Sequence, residues 1–128
     1  MRELTITGPG RNALGMAVME SLLAQLAAAG GEPLLVTGAG DTFSAGLNLK
    51  EVAALDRPGM ERFLGILEQL VETLYEYPGP TVACVNGHAI AGGGVLALGG
   101  DLRVAAARPD LRIGLNEVAL GLEFPPKT

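Results

Sequence analysis

Two glycine-rich turns carry the chemistry that this chain can do most directly. Phe43-Ser44-Ala45-Gly46-Leu47-Asn48-Leu49-Lys50 and Ala91-Gly92-Gly93-Gly94-Val95 each follow an apolar, strand-like run and lead into a helical stretch. The start of a helix leaves N–H groups without intrahelical acceptors, and its dipole favours negative charge there. Glycine lets a ligand approach the backbone closely. Two N–H donors converging on one oxygen would stabilise an enolate, and losing such a donor costs about 10²–10³ in rate. The spacing of the first turn reads equally well as a bare αβ connection, with a helix beginning at Leu47. Tight helix–strand packing is the alternative for the second.

Other residues give weaker signals. Glu117 lies between apolar neighbours in Gly114-Leu115-Asn116-Glu117-Val118. Burial would raise its pKa and suit it to act as a general base. The residues alone favour the other reading, a solvent-facing glutamate at a helix start. Gly8-Pro9-Gly10-Arg11-Asn12-Ala13 fits a dinucleotide-binding turn, but Val36-Thr37-Gly38 lacks the ribose-binding acid expected after the second strand, so a simple turn is preferred. His88 and Cys84, the only residues of their kinds, read as structural, Asp101 and Asp110 as turn acids and Glu51 as exposed.

Composition narrows the classes. The net charge is −5 and no Lys/Arg cluster exists, which argues against nucleic acid as a partner. One Cys and one His exclude an intrachain disulfide and a zinc set, so no metal site is expected. The uncharged stretch 81–100 contains glycines, Asn86 and His88, which argues against a membrane span. No targeting segment is recognisable, so the expected location is the cytoplasm. Charged residues are only 18%, which points to extensive burial.

The elements that must position the turns follow from pattern. Strands are expected at 4–7, 34–37, 81–85 and 102–105, the last three as buried apolar runs. Leu14, Val18, Leu22 and Leu26 predict one helix, capped by Asn12 and ended by Gly30-Gly31. Met60, Phe63, Leu64, Leu67, Leu70, Val71 and Leu74 predict a second, starting at 56–59. Short helices are expected near 47–54 and 95–98, and a short strand near 111–113. Strand and helix alternate, so the reading is one α/β domain, 1–128, with a mostly parallel sheet built of βαβ units.

Taken together, Arg11-Asn12-Ala13-Leu14, the run Val36-Thr37-Gly38 followed by Phe43–Leu49, and Asn86-Gly87 through Gly92-Gly93-Gly94 to Asp101-Leu102-Arg103 resemble the crotonase (enoyl-CoA hydratase/isomerase) superfamily over nearly the whole chain. The resemblance implies a crotonase-like core that lacks the family's C-terminal helical region, as a truncated or minimal form. It implies an acyl-CoA substrate, no separate cofactor, and a homo-oligomer, trimer or hexamer. By the same likeness the oxyanion donors are the N–H groups of Leu47 and Gly93. Ala13, Leu14, Ser44, Ala45, Leu49, Gly92 and Asn116 would line the substrate path.

The family uses up to two glutamates. The position three residues after the middle glycine of the second turn is Leu96 here, whereas the later position is filled by Glu117. Hydration usually draws on two carboxylates, whereas moving a double bond needs one. The resemblance is strongest to the Δ3,Δ2-enoyl-CoA isomerase branch. It therefore implies an isomerase with Glu117 as base; an enoyl-CoA hydratase and a non-catalytic CoA-binding module are the alternatives. Glu123 is a candidate second acid.

Overall fold

Four short strands, each following the helical or looped segment before it, line up in parallel. A computed structural model of the chain describes residues 1–115. The elements in order are β1 Arg2–Ile6, α1 Pro9–Asn12, α2 Met16–Ala29, β2 Leu34–Gly38, α3 Leu49–Ala53, α4 Arg57–Tyr75, β3 Thr81–Val85, β4 Ala89–Ile90, α5 Gly92–Leu98, β5 Leu102–Ala105 and β6 Ile113–Gly114. The main sheet has the order β1-β2-β3-β5, with every pairing parallel. A second, two-stranded parallel sheet joins β4 to β6. The α/β class and parallel sheet expected from the sequence are observed.

Alternation along the strands decides which face is covered. In β2 and β3 the first, third and fifth residues, such as Leu34, Val36, Ala83 and Val85, are buried. They meet Leu22 and Leu26 of α2 and Phe63, Leu67, Leu70 and Leu74 of α4 in one core. Each large side chain buried in this way contributes about 1.5–3 kcal/mol. The α4 stripe matches its spacing, except that Leu64 is exposed. Asp56 caps α4 by accepting from the Gly59 N–H at 2.8 Å.

Several elements differ from expectation. Helix α2 begins at Met16 behind Gly15, so Asn12 does not cap it and Leu14 lies outside it. Asn12 instead adopts φ +57, and its side chain reaches across to another loop. Helix α3 begins at Leu49, capped by Asn48, which leaves Leu47 in an extended bridge to Leu14. Helix α5 begins at Gly92, so the glycines form its first turn. Strand β5 is not buried; all four of its residues are exposed. Among the described residues it pairs only with β3, and Arg103 reaches the end of α5 at the Leu98 carbonyl. Cys84 faces the same side as the exposed Val104 and is half-buried rather than core. Asp101 holds β5 to β3: its carboxylate accepts the Thr81 N–H at 2.8 Å, and its N–H donates to the Thr81 hydroxyl at 2.9 Å.

Candidate active site

The first glycine-rich loop leaves β2 and is tied down by two asparagines. Asn86, at the end of β3, donates to the carbonyls of Gly38 and Gly40 at 2.9 Å each and accepts from the Gly38 N–H at 3.1 Å. Asn12 is buried and donates to the carbonyls of Ala39 at 2.9 Å and Thr42 at 2.8 Å. Its side-chain oxygen accepts from the Gly8 N–H at 3.3 Å. The turn at Gly8–Ala13 is thereby committed to backbone support. A Cβ at Gly8 would stand 2.6 Å from the Ala13 carbonyl oxygen.

Beyond Phe43, which is fully buried, Ser44 donates to the Asn12 carbonyl at 2.8 Å and accepts from the Gly46 N–H at 3.2 Å. Leu14 then runs alongside. Its N–H donates to Gly46 O at 2.8 Å, and its carbonyl accepts from the Asn48 N–H at 2.9 Å. Glu51 completes the staple by accepting the Met16 N–H at 2.7 Å, so a carboxylate sits at the start of α2. Glu51 is therefore half-buried and engaged, not a free surface acid.

The second turn presses directly against the first. Ile90 N–H donates to Ser44 O at 3.0 Å, and Ala91 N–H to Gly114 O at 2.8 Å. A Cβ on Gly93 would overlap the Ser44 carbonyl oxygen. One on Gly46 would lie 2.9 Å from Ile90 O and 3.3 Å from Gly92 N. Gly46 has φ +97, a region open to glycine. Ala91 has φ +52 and ψ −118, a strained conformation for a residue with a Cβ, of the kind that costs about 1–3 kcal/mol. That strain turns the chain so that Gly92 and Gly93 enter α5 with their amides foremost.

Several amides of these turns have no acceptor among the described residues, the first-turn amides of Gly92, Gly93 and Gly94 among them. Neither the Leu47 N–H nor the Gly93 N–H has an acceptor among the described residues. Gly93 is buried, and buried N–H groups without partners are rare enough to call for an explanation. Leu47 differs from its sequence expectation in cause: its free amide comes from an extended bridge, not from a helix start. Of the other residues expected to line the substrate path, Ala45 and Leu49 are exposed, Ala13 is half-buried, Gly92 lies in the buried first turn of α5, and Leu14 and Ser44 are fully buried. Ser44 therefore meets the site through its backbone, its hydroxyl being engaged within the loop. Asn116, Glu117 and Glu123 lie outside the described residues. Leu115, the last described residue, lies against the second turn, its Cδ2 3.1 Å from where a Gly94 Cβ would be. Leu96 is buried in α5 and offers no proton.

Beside this centre, the His88 ring accepts the Arg112 N–H through Nδ1 at 3.0 Å, a structural bond as the sequence reading expects. Arg108 grips Asp110 with two contacts at 3.1 and 3.2 Å. The hydrogen bond from Arg108 holds the Asp110 carboxyl below the usual carboxylate range. Among the described residues no group of His, Cys, Asp and Glu side chains is arranged to hold a metal ion. No helix among them is long and apolar enough to cross a membrane.

The Asn86-Gly87 pair was legible as a turn, whereas nothing in the sequence marked the roles of Glu51 or the strained Ala91.

Known proteins resemble this chain in sequence and fold. The family model for enoyl-CoA hydratase/isomerase matches residues 2–127. A probable enoyl-CoA hydratase of Bacillus subtilis is 35% identical over 124 residues, covering 93% of this chain and 47% of that protein. An enoyl-CoA isomerase/hydratase of Mycosarcoma maydis is 37% identical over 89 residues, covering 70% of this chain and 32% of that protein. The crystal structure of enoyl-CoA hydratase from Bacillus anthracis superposes with a TM-score of 0.84 at 29% identity, covering 96% of this chain and 49% of that one. The chain thus spans about half the length of the relatives it matches.

Proposed function

Because the chain belongs to the enoyl-CoA hydratase/isomerase family, we propose that it binds the carbonyl of an acyl-CoA thioester between the Leu47 and Gly93 amides and acts as an enoyl-CoA isomerase. The observation that carries this reading is the pair of unpartnered N–H groups on two abutting turns, one of them buried. An oxygen placed between them gains two donors that need not reorganise as charge develops.

In the proposed reaction, the Glu117 carboxylate takes a proton from C2 of a 3-enoyl thioester. The electrons move into a dienolate whose oxygen lies against the two amides. The same proton returns at C4, giving the 2-enoyl thioester with no net change in atoms. Leu115 beside Gly94 supports this role: Glu117 follows two residues later, within about 7 Å of extended chain. Leu96, buried and apolar, supports a mechanism with one carboxylate. The test is to incubate the protein with a 3-enoyl-CoA and follow formation of the conjugated thioester by its ultraviolet absorbance. No conversion by the wild type removes the reading.

Hydration of a 2-enoyl-CoA is the second reading, favoured by the names carried by the Bacillus subtilis and Bacillus anthracis proteins. It would require a second proton donor, for which Glu123 is the candidate. Hydration faster than isomerisation would decide for it. The expected cytoplasmic location and a homo-oligomeric assembly belong to the same proposal.

A further inference from the structure

A cavity of about 920 Å³ opens along β4 and β6. Its wall is continuous with the candidate site. Ile90 immediately precedes Ala91, and Gly114 accepts the Ala91 N–H that leads into the glycine turn. Arg11, Ile90 and Arg112 are among its lining residues, and the β4–β6 register sets Ile90 and Arg112 on one face. Among the described residues neither guanidinium has a carboxylate or hydrogen-bond partner. The acid on this lining, Asp110, is already taken by Arg108. In a chain of net charge −5, two arginines unpaired among the described residues give this cavity a local positive character. Arg112 immediately precedes β6 and lies two residues before Gly114, about 7 Å of extended chain. Its backbone is fixed at both ends, with N–H to His88 and carbonyl to the Ala89 N–H.

We propose that this cavity selects an acyl thioester whose chain ends in a carboxylate, the methylenes lying along Ile90 and the carboxylate paired with Arg112, which the register sets on the same face as Ile90, with Arg11 as a second cation on the lining. The inference rests on the thioester reading of the Leu47 and Gly93 amides, since that reading fixes where the chain begins. A phosphate of the CoA portion is the other anion that an arginine could hold. Ile90, between the glycine turn and Arg112 on that face, favours the acyl carboxylate, because a phosphate would leave its side chain without a partner.

Calorimetry with adipyl-CoA and hexanoyl-CoA, which have equal chain length and are not turned over, tests this directly. Adipyl-CoA is expected to bind about 10–100-fold more tightly, the usual gain from a charge-assisted hydrogen bond. Arg112→Gln keeps the backbone bonds and should abolish that preference, with hexanoyl-CoA affinity preserved. Arg11→Gln should reduce the preference by a smaller factor. Equal binding of the two thioesters by the wild type overturns the carboxylate inference alone. So does an Arg112→Gln variant that weakens both thioesters equally, since the arginine then contacts the shared CoA portion. Binding of neither thioester overturns the thioester reading and this inference together.

Discussion

The Leu14 N–H donates to the Gly46 carbonyl at 2.8 Å, and this bond aims the Leu47 amide. In a trans peptide the C=O and the N–H point in opposite directions. Fixing the Gly46 oxygen on Leu14 therefore turns the Leu47 N–H away from Leu14 and leaves it unpaired. Hydrogen bonding to the carbonyl also polarises the same peptide group and strengthens its N–H as a donor. The aim of the donor is set by a neighbouring loop, not by the residue itself.

Gly93→Ala should be the most damaging single-methyl change in the site. The added Cβ meets the Ser44 carbonyl backbone, which cannot rotate away as a flexible side chain could. Separation of the two turns should lower turnover by about 10²–10³, the effect of losing one such donor. The measurement is kcat on a 3-enoyl-CoA, with circular dichroism to show that the fold survives. Unchanged turnover would remove Gly93 from the oxyanion site.

Glu117→Gln keeps the size of the side chain and removes its basicity. Isomerisation should fall by at least about 10², within the range for a general base, while acyl-CoA affinity by calorimetry holds. Retained activity would exclude Glu117 as the base.

Asn12→Ala removes donors to Ala39 O and Thr42 O and places alanine at φ +57. Leaving these carbonyls unpaired costs about 1–3 kcal/mol, visible as a lower midpoint in urea. Asn12→Gly should be milder in backbone strain yet lose the same bonds. Equal midpoints for all three proteins would show that the bridging amide is dispensable.

Ala91→Gly removes the cost of a Cβ at φ +52. Stability should stay level or rise by about 1 kcal/mol, because relief of strain opposes the greater freedom of the unfolded glycine. Ala91→Val should destabilise clearly. A urea series on the three proteins checks the order.

The Asp110 carboxyl titrates below its ordinary value because Arg108 hydrogen-bonds to its charged form. The contribution of this pair is therefore present above the unfolded carboxylate value and is lost as pH falls through the lowered folded value. In Arg108→Ala, the Asp110 midpoint followed by NMR should move back up. An unmoved midpoint would deny that Arg108 is the cause.

The alternation of apolar strands and helical stripes was legible because a covered parallel sheet needs continuous hydrophobic runs. Leu34–Thr37, Thr81–Val85 and the Phe63–Leu74 stripe all follow that rule. The same rule misjudged Leu102–Ala105: an apolar run records a preference for burial but cannot show whether anything covers it. Asn12 was misread because an asparagine before a helical stripe has two uses. It can cap the helix or, at positive φ, reach into another loop. The glycine turns were visible as turns, but the aim of the Leu47 amide depends on Leu14, whose pairing with Gly46 has no signature in spacing.

Strand β5 leaves Leu102 and Val104 in water with its outer row of backbone groups unmatched by another strand among the described residues. Such a rim is a template on which stray extended peptide can add. Arg103, between those two apolar side chains and held to the Gly100 carbonyl at 3.0 Å, is the one charge on it. It thus stands where a gatekeeper charge discourages such addition.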